Sequence, residues 1–236
     1  MKTIRFADPG YVGDPINAVR IFNDMEVDEI VVLDIGATPE GSGIAFDLIG
    51  EMASECFMPM AYGGAVRSVA DARQVLGLGV EKIVINSAAA SDLSVISDIA
   101  GVFGSQAVVA SVDVRKRMFR GYAAYSNGGR TPVSRSLVEW VRALEAAGAG
   151  EMLITSIDRD GTMDGYDLEL VHLVSSSVRV PVIAAGGAGS VQDMGDVVAK
   201  GGASAAAVGS LAVYQGKNRA VLINFPTPAQ LKAVIP

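Results

Sequence analysis

The sequence is poor in the side chains that form disulfides and metal clusters. It holds one cysteine, Cys56, and one histidine, His172, in 236 residues. A single cysteine excludes an intramolecular disulfide and a cysteine-rich metal cluster, and such low usage is typical of a reducing compartment. We therefore expect a protein that uses neither a metal ion nor another cofactor.

Long apolar runs and clustered basic residues are also scarce. No stretch reaches the ~18 apolar residues of a membrane span, and the first ten residues, MKTIRFADPG, lack the apolar core of a signal peptide. The formal net charge is −7, with Lys and Arg scattered, whereas a nucleic-acid surface needs a clustered basic face. The sequence predicts a cytoplasmic protein that binds a small molecule or another protein, and neither nucleic acid nor a membrane.

The abundant residues are hydrophobic, at 50% of the chain, while 19% are charged. This composition and length indicate a single domain that spans residues 1–236. Short β-branched runs alternate with longer segments of helical period, which indicates a parallel sheet with crossover helices. Seven strands are predicted, at Glu29–Leu33, Met58–Ala61, Lys82–Ile85, Ala107–Val112, Glu151–Thr155, Pro181–Ala184 and Ala205–Val208. Helices are predicted at Pro15–Met25, Phe46–Cys56, Val69–Leu78, Leu93–Phe103, Leu137–Ala147, Leu168–Ser175, Val191–Lys200 and after Thr227.

An internal repeat relates two parts of the chain. Gly63 and Gly186 lie in similar Gly-Gly-Ala segments 123 residues apart, and Ser87 and Ser210 have the same separation. Two copies of a four-strand unit, about residues 1–105 and 106–236, predict an α/β fold of the (β/α)8 TIM-barrel type. The same offset places the counterpart of the strand at Ala107–Val112 upstream of Met1. We therefore expect the first barrel strand to be missing from this chain.

Glycine and hydroxyl residues recur where the predicted strands end. In parallel barrels the active site lies at the carboxyl ends of the strands. Adjacent glycines let backbone N–H groups approach phosphate oxygens closely, although one glycine pair also suits an ordinary tight turn. Two pairs, each followed one strand later by a serine, favour two phosphate sites. The predicted binding residues are Gly63, Gly64, Asn86, Ser87, Asp160, Gly161, Thr162, Gly186, Gly187, Gly209 and Ser210.

Carboxylates gather at the same strand ends. Asp34 follows one strand and is predicted to bind the substrate together with the loops. Asp113 follows another strand at the predicted mouth, where a carboxylate can move protons during ring chemistry. The structural alternative for Asp113 is a salt bridge to Arg115 or Lys116.

Charged residues also begin three alternate strands at the opposite end. Glu29, Lys82 and Glu151 open the second, fourth and sixth strands of a full barrel, so we expect them to share one layer at its floor. Two acids and one base leave a negative excess, which predicts a further base from the missing segment. The alternative is three separate solvated residues.

Long segments of the chain resemble a known family. They read Val-Asp-Glu-Ile-Val-Val-Leu-Asp-Ile at 27–35, Phe-Gly-Ser-Gln-Ala-Val-Val at 103–109, Gly-Ala-Gly-Glu-Met-Leu-Ile-Thr-Ser-Ile-Asp-Arg-Asp-Gly-Thr at 148–162 and Ala-Gly-Gly-Ala-Gly at 185–189. These motifs resemble the cyclase subunits of imidazole glycerol phosphate synthase. The resemblance implies a (β/α)8 barrel with a glutaminase partner on its floor. It also implies an activity in histidine biosynthesis, closing the imidazole ring of a doubly phosphorylated ribulosyl substrate to give imidazole glycerol phosphate and aminoimidazole carboxamide ribotide.

The resemblance also assigns roles to individual residues. Asp113 matches the general acid/base of the second half, and Lys2 matches the lysine of a mobile first loop. Gly64, Ser87, Gly161, Gly187 and Ser210 match the phosphate loops, while Glu29, Lys82 and Glu151 match the ring through which ammonia passes. The second catalytic aspartate of the family belongs to the first strand, which places full cyclase activity in question. Ala65 stands where the first phosphate loop usually has a third glycine.

Residues 2–23 and Cys-Phe-Met-Pro at 56–59 are closer to a paralogous branch associated with surface-polysaccharide genes. That branch implies a barrel that delivers ammonia for the amidation of a sugar. Three alternatives therefore remain after the sequence: a histidine-pathway cyclase, a sugar-amidation paralogue, and an inactive scaffold that binds a glutaminase.

Overall fold

The computed structural model describes residues 1–119, 121–216 and 218–235. The strands are β1 (Lys2–Ile4), β2 (Ala7–Gly10), β3 (Ile30–Leu33), β4 (Met60–Gly63), β5 (Lys82–Ile85), β6 (Val108–Arg117), β7 (Gly121–Ser126), β8 (Thr131–Pro132), β9 (Glu151–Ser156), β10 (Val182–Ala185), β11 (Ala205–Ala206), β12 (Tyr214–Gln215) and β13 (Ala220–Val221). The helices are α1 (Pro15–Asp24), α2 (Phe46–Glu55), α3 (Val69–Gly77), α4 (Ser87–Ser91), α5 (Ser94–Phe103), α6 (Leu137–Ala146), α7 (Leu168–Ser175), α8 (Val191–Ala199), α9 (Ser210–Val213) and α10 (Pro228–Lys232), with a 3₁₀ turn at Ser105–Ala107.

Seven parallel strands form one sheet in the order β3-β4-β5-β6-β9-β10-β11. This is the strand set and the α/β barrel architecture that the sequence predicts. Among the described residues, β3 and β11 each pair on one side only, and β7 and β8 extend the sheet antiparallel from β6. The short hairpins β1–β2 and β12–β13 form two further sheets.

Alternation along the strands divides the core into two layers. Ala61, Val84, Val109 and Leu153 form a buried cluster in the barrel interior. The intervening residues, such as Met60 and Tyr62 of β4, face the helices in a larger cluster. Period-two alternation places successive side chains on opposite faces, so each strand supplies both layers. Asp113, two positions beyond Ser111 on β6, therefore projects into the barrel mouth.

Several helices begin at residues whose side chains cap the free N–H groups of the first turn. Asp14, which precedes Pro15 at the start of α1, accepts a hydrogen bond from the Asn17 N–H. Ser136 forms a capping box with Glu139 at the start of α6. The helices of the repeat, α3 and α8, begin alike, with Ser68 and Ser190 accepting from the third helical N–H. At these four helices the capping residues account for the agreement between the predicted and observed starts.

Six of the seven predicted strands differ from the structure at one or both ends, and β6 runs five residues beyond the predicted Val112. The strand predicted at Met58–Ala61 begins at Met60, because Pro59 has no N–H to donate to a ladder. The strand predicted at Ala205–Val208 ends at Ala206 and pairs only with β10. The described residues contain no helix that is both long and apolar enough to span a membrane.

Candidate functional site

Asp113 lies at the centre of the barrel mouth. It is buried at 8% exposure, it stands in register with Thr155 of β9, and its Oδ2 accepts from the Asn86 Nδ2 at 2.8 Å. Burial raises the pKa of Asp113 to about 7, the Asn86 hydrogen bond opposes this shift, and the negative charge of Asp160 adds to it. A carboxyl group with this pKa exists in both protonation states near neutral pH.

The predicted structural alternative for Asp113 is not formed. Lys116 instead pairs with Glu169, with 2.7 Å between Nζ and Oε2. Arg115 stacks on the ring of Tyr125, at 5.5 Å from the ring centre. Strand alternation turns the side chain of Lys116 outward, so this cation cannot neutralise the inward-facing carboxylate.

Loops of the second half bring the side chains of Lys2 and Asp160 together beside Gly209 and Ser210. The Lys2 Nζ lies 3.5 Å from the Oδ1 of Asp160 and 2.7 Å from the point where a Cβ on Gly209 would stand. The hydroxyl of Ser210 is buried and has no hydrogen-bond partner among the described residues. A cation and an unsatisfied hydroxyl at one glycine turn are the groups that bind a phosphate.

The hairpin β1–β2 lies outside the main sheet and contacts the loop that follows β9. Thr3 donates to the Oδ2 of Asp160 at 3.0 Å, and the Arg5 N–H donates to the Asp160 carbonyl at 2.8 Å. The Gly161 carbonyl accepts from Arg219 at 2.7 Å, and the Thr162 hydroxyl donates to the Arg159 carbonyl at 2.9 Å. The two contacts from Thr3 and Arg5 to Asp160 hold Lys2 beside the loop that follows β9.

Glycines 186 and 187 are required by the backbone of the second half. Their φ angles are +85° and +115°, which lie in the left-handed region that favours glycine. A Cβ on Gly187 would overlap the carbonyl of Gly165, and one on Gly186 would stand 2.6 Å from the carbonyl of Ser156. The two residues fix the loop close to the neighbouring backbone.

The loops of the first half have a different set of contacts. A Cβ on Gly63 would lie 2.9 Å from both Leu33 and Val84, and one on Gly64 would lie 2.7 Å from the Cβ of Asp34. The hydroxyl of Ser87 accepts from the Asn127 N–H at 2.9 Å. Ser87 therefore already has one hydrogen bond, whereas its counterpart Ser210 has none to the residues that the structure describes.

Asp34 and Tyr62 lie next to Gly64 in the first-half loop. The Oδ1 of Asp34 accepts from the N–H groups of Gly36 and Ala37, which fixes the turn after β3. The Tyr62 hydroxyl is buried without a partner in the described structure, and burial, together with the charge of Asp34, raises its pKa to about 12. The side chain of Asp34 thus fixes the turn after β3 and also lies against Gly64.

Three charged residues meet at the barrel floor. The Lys82 Nζ lies 2.8 Å from Glu29 Oε2 and 2.9 Å from Glu151 Oε1. Burial by itself lowers the pKa of Lys82, but hydrogen bonds to both glutamates outweigh this effect, so the pKa is raised. Across residues 1–119, 121–216 and 218–235, these glutamates have no second basic partner within ion-pair distance.

The sequence analysis overlooked the turn that follows β7. Its residues Asn127, Gly128 and Gly129 have φ angles of +52°, +63° and +76°. The composition indicates a turn, but nothing local shows that the turn contacts Ser87, 40 residues away. In the described parts of the chain, no three His, Cys, Asp or Glu side chains are grouped to hold a metal ion.

Comparison with known proteins agrees with the resemblance seen in the sequence. The family described as "Histidine biosynthesis protein" matches residues 1–219. A Pseudomonas aeruginosa protein assigned as imidazole glycerol phosphate synthase subunit hisF2 is 51% identical over 96% of this chain and 90% of its own. The imidazole glycerol phosphate synthase subunit HisF of Alkaliphilus metalliredigens is 45% identical over 91% of this chain and 85% of its own. A Leptospira interrogans protein assigned as subunit HisF is 42% identical over 99% of this chain and 92% of its own. Because the family match covers most of the chain and agrees with the barrel, this chain belongs to the histidine biosynthesis protein family, among relatives of the HisF type.

Proposed function

We propose that this chain is a cytoplasmic cyclase-type barrel subunit that uses ammonia from a glutaminase partner. Its substrate is doubly phosphorylated and ribulosyl, and its products are imidazole glycerol phosphate and aminoimidazole carboxamide ribotide, as in histidine biosynthesis. The observation that carries this proposal is Asp113, a buried carboxyl group with a pKa of about 7 between two glycine-serine loops.

Asp113 is suited to proton transfer during ring closure. A general acid or base works best when its pKa lies near the working pH, because both protonation states are then available. Asn86 holds one carboxylate oxygen at 2.8 Å and leaves the other oxygen for substrate. Asp113 therefore takes a proton from the reacting nitrogen or carbon and returns it in a later step.

The two loops bind the ends of the substrate. Ser210, Gly187 and Lys2 supply a hydroxyl, backbone donors and a positive charge in the second half. Ser87 and Gly64 supply a hydroxyl and backbone donors in the first half. Loops on opposite sides of Asp113 fit a substrate with a phosphate at each end and the reacting atoms between them.

Ammonia reaches this mouth from the floor. The Glu29–Lys82–Glu151 cluster stands where β5 and β9 begin and just before β3. The same strands run toward the end where Asp113 lies. Phe57, which is 87% exposed just before β4, offers an apolar contact for the glutaminase at the same end.

Ammonium-dependent turnover of the ribulosyl substrate tests the proposal. We expect Asp113→Asn to lower kcat by about 10²-fold or more, because the amide cannot exchange a proton. Asp98→Asn makes the same change on the exposed face of α5 and should leave kcat unchanged. Equal kcat values for the Asp113 variant and the unmodified chain would remove Asp113 from the mechanism.

A second candidate is delivery of ammonia for the amidation of a sugar. One observation favours it: Ala65, with a φ of +53°, stands where the resemblance implies a third glycine in the first phosphate loop. This candidate predicts that the chain stimulates its glutaminase while ribulosyl substrate is not consumed. An inactive scaffold gives the same result, and only the sugar-amidation role yields an amidated sugar when the acceptor enzyme is added.

A further inference from the structure

The turn between β7 and β8 forms part of the barrel mouth. Its left-handed residues, Asn127, Gly128 and Gly129, lead directly to Arg130. The Arg130 N–H donates to the carbonyls of Ser126 at 3.1 Å and Asn127 at 3.3 Å, which closes the turn. Asparagine and glycine tolerate this conformation, so the turn is set by its own sequence.

Four other segments of the chain surround this turn. The Asn127 N–H donates to Ser87, and a Cβ on Gly128 would lie 3.5 Å from Pro39 in the loop after β3. A Cβ on Gly129 would stand 3.1 Å from Phe6 of the first hairpin and 3.1 Å from Ile157 after β9. Arg130 therefore extends from an anchored backbone beside the first-half loop.

The Asn127 hydrogen bond determines what Ser87 can still do. A serine hydroxyl has one hydrogen to donate. Because the Ser87 oxygen accepts from Asn127 at 2.9 Å, its own hydrogen remains free to donate to a ligand. The turn thus orients Ser87 as a donor at the place where the first phosphate is proposed to bind.

The remaining requirement of this site is a positive charge. Asp113 and Asp160 make the mouth acidic, and a phosphate bound there needs a cation. Lys2 supplies one in the second half, whereas Arg5, Arg159 and Arg219 donate to backbone carbonyls. Arg130 is exposed, and within the described structure its guanidinium makes neither an ion pair nor a hydrogen bond.

We propose that Arg130 is an anion-binding residue of the first half, where it supplies to one substrate phosphate the charge that Lys2 supplies to the other. The inference rests on the proposed function, because it requires that the first-half loop binds phosphate. Arginine suits the position, since its planar guanidinium can donate two parallel hydrogen bonds to one phosphate. Each half then has a glycine loop, a serine hydroxyl and one cation carried by a segment outside the main parallel sheet.

Titration with inorganic phosphate, followed by backbone amide chemical shifts, measures the two halves separately. The amides of Gly64 and Ser87 report on the first half, and those of Gly187 and Ser210 on the second. In the unmodified chain both sets should shift with phosphate. We expect Arg130→Gln to weaken binding about tenfold at the first set only, because a charge-assisted hydrogen bond is lost.

Two further variants sharpen this test. Arg130→Lys should recover part of the affinity, because it keeps the charge without the planar guanidinium. Arg135→Gln, an equally exposed arginine five residues on, should leave both sets unchanged.

Three results would overturn the proposal. In the first, Arg130→Gln leaves the phosphate midpoint of the first set unchanged. In the second, Arg67→Gln produces the tenfold loss instead, which assigns the charge to the exposed arginine that follows the first loop. In the third, phosphate shifts only the second set in the unmodified chain. If phosphate shifts neither set in the unmodified chain, the two phosphate sites of the proposed function fail together with Arg130.

Discussion

The loops of the two halves are alike in sequence but differ in what surrounds their serines. Ser87 accepts a hydrogen bond from Asn127, whereas Ser210 is buried without a partner among the described residues. The turn after β7 reaches the first loop, and the hairpin β1–β2 brings Lys2 to the second. The difference shows that a repeated strand and loop can be specialised by whichever segment crosses over it.

The largest expected effect comes from the loop glycines. Gly187→Ala should lower the free energy of unfolding by about 3 kcal/mol, because the new Cβ overlaps the Gly165 carbonyl at a φ of +115°. Chemical denaturation measures this change. Gly77→Ala is the control: it lies in α3 with no atom near the added Cβ, and it should stabilise by about 0.5–1 kcal/mol. Similar values for both variants would show that the second loop does not depend on glycine.

Asp113 contacts both halves, since it accepts a hydrogen bond from Asn86 of the first half and lies near Asp160 of the second. Its pKa is about 7 in the folded protein, against an ordinary value of 3.8. The folded state therefore binds more protons between about pH 4 and pH 7, and the free energy of unfolding contributed by Asp113 is lost as pH rises through this window. Asp113→Asn should flatten this dependence and stabilise the protein at pH 8 by on the order of 2 kcal/mol.

Denaturation of both proteins from pH 4 to pH 8 measures the effect of this substitution. Asp98→Asn, an exposed change of the same kind, should follow the curve of the unmodified chain. Parallel curves for the Asp113 variant and the unmodified chain would show that the carboxylate is not destabilised by burial.

Removing each serine hydroxyl tests the comparison directly. Ser87→Ala should destabilise the protein by about 1 kcal/mol, because the Asn127 N–H loses its acceptor. Ser210→Ala should be neutral or stabilise by up to about 1 kcal/mol, because an unsatisfied buried hydroxyl is removed. Thermal unfolding without phosphate measures both. Equal losses for the two variants would contradict the difference between the halves.

The smallest expected effect is at Ala65, which stands where the family resemblance implies a third glycine. Ala65 has a φ of +53°, a conformation that glycine adopts without a steric cost. Ala65→Gly should change the free energy of unfolding by about 0.5 kcal/mol or less, since relief of strain is offset by greater freedom of the unfolded chain. If Ala65 crowds the phosphate, the variant should also bind inorganic phosphate more tightly at the first half, as measured from the Gly64 and Ser87 amides. Unchanged phosphate affinity would show that the alanine does not crowd this site.

The sequence predicted the parallel strands well because each has its own local pattern. Lys82–Ile85 is a short β-branched run and matches β5 at both ends. The shifted start of β4 follows from Pro59, which has no N–H to donate to the sheet. The hairpin β1–β2 was not predicted, because Ala-Asp-Pro-Gly at 7–10 has no strand pattern. Three residues of the hairpin, Arg5, Phe6 and Asp8, also have positive φ angles.

The contacts of the candidate site depend on segments far apart in the chain. Asn127 lies 40 residues from Ser87, and Thr3 lies 157 residues from Asp160. No periodicity relates such positions. The high pKa of Asp113 is similarly invisible locally, because it reflects how completely the surrounding strands exclude water.

Three features follow from the sequence alone. They are the alternation of strands and helices, the repeat of 123 residues, and the glycines and serines at the strand ends. Only the tertiary structure decided that Lys2 lies at the second loop and that Asn127 donates a hydrogen bond to Ser87. It also decided that Asp113 accepts a hydrogen bond from Asn86 and does not pair with a cation among the described residues. The physical reason is that secondary structure follows from neighbouring residues, whereas hydrogen bonding and desolvation depend on which distant segments meet.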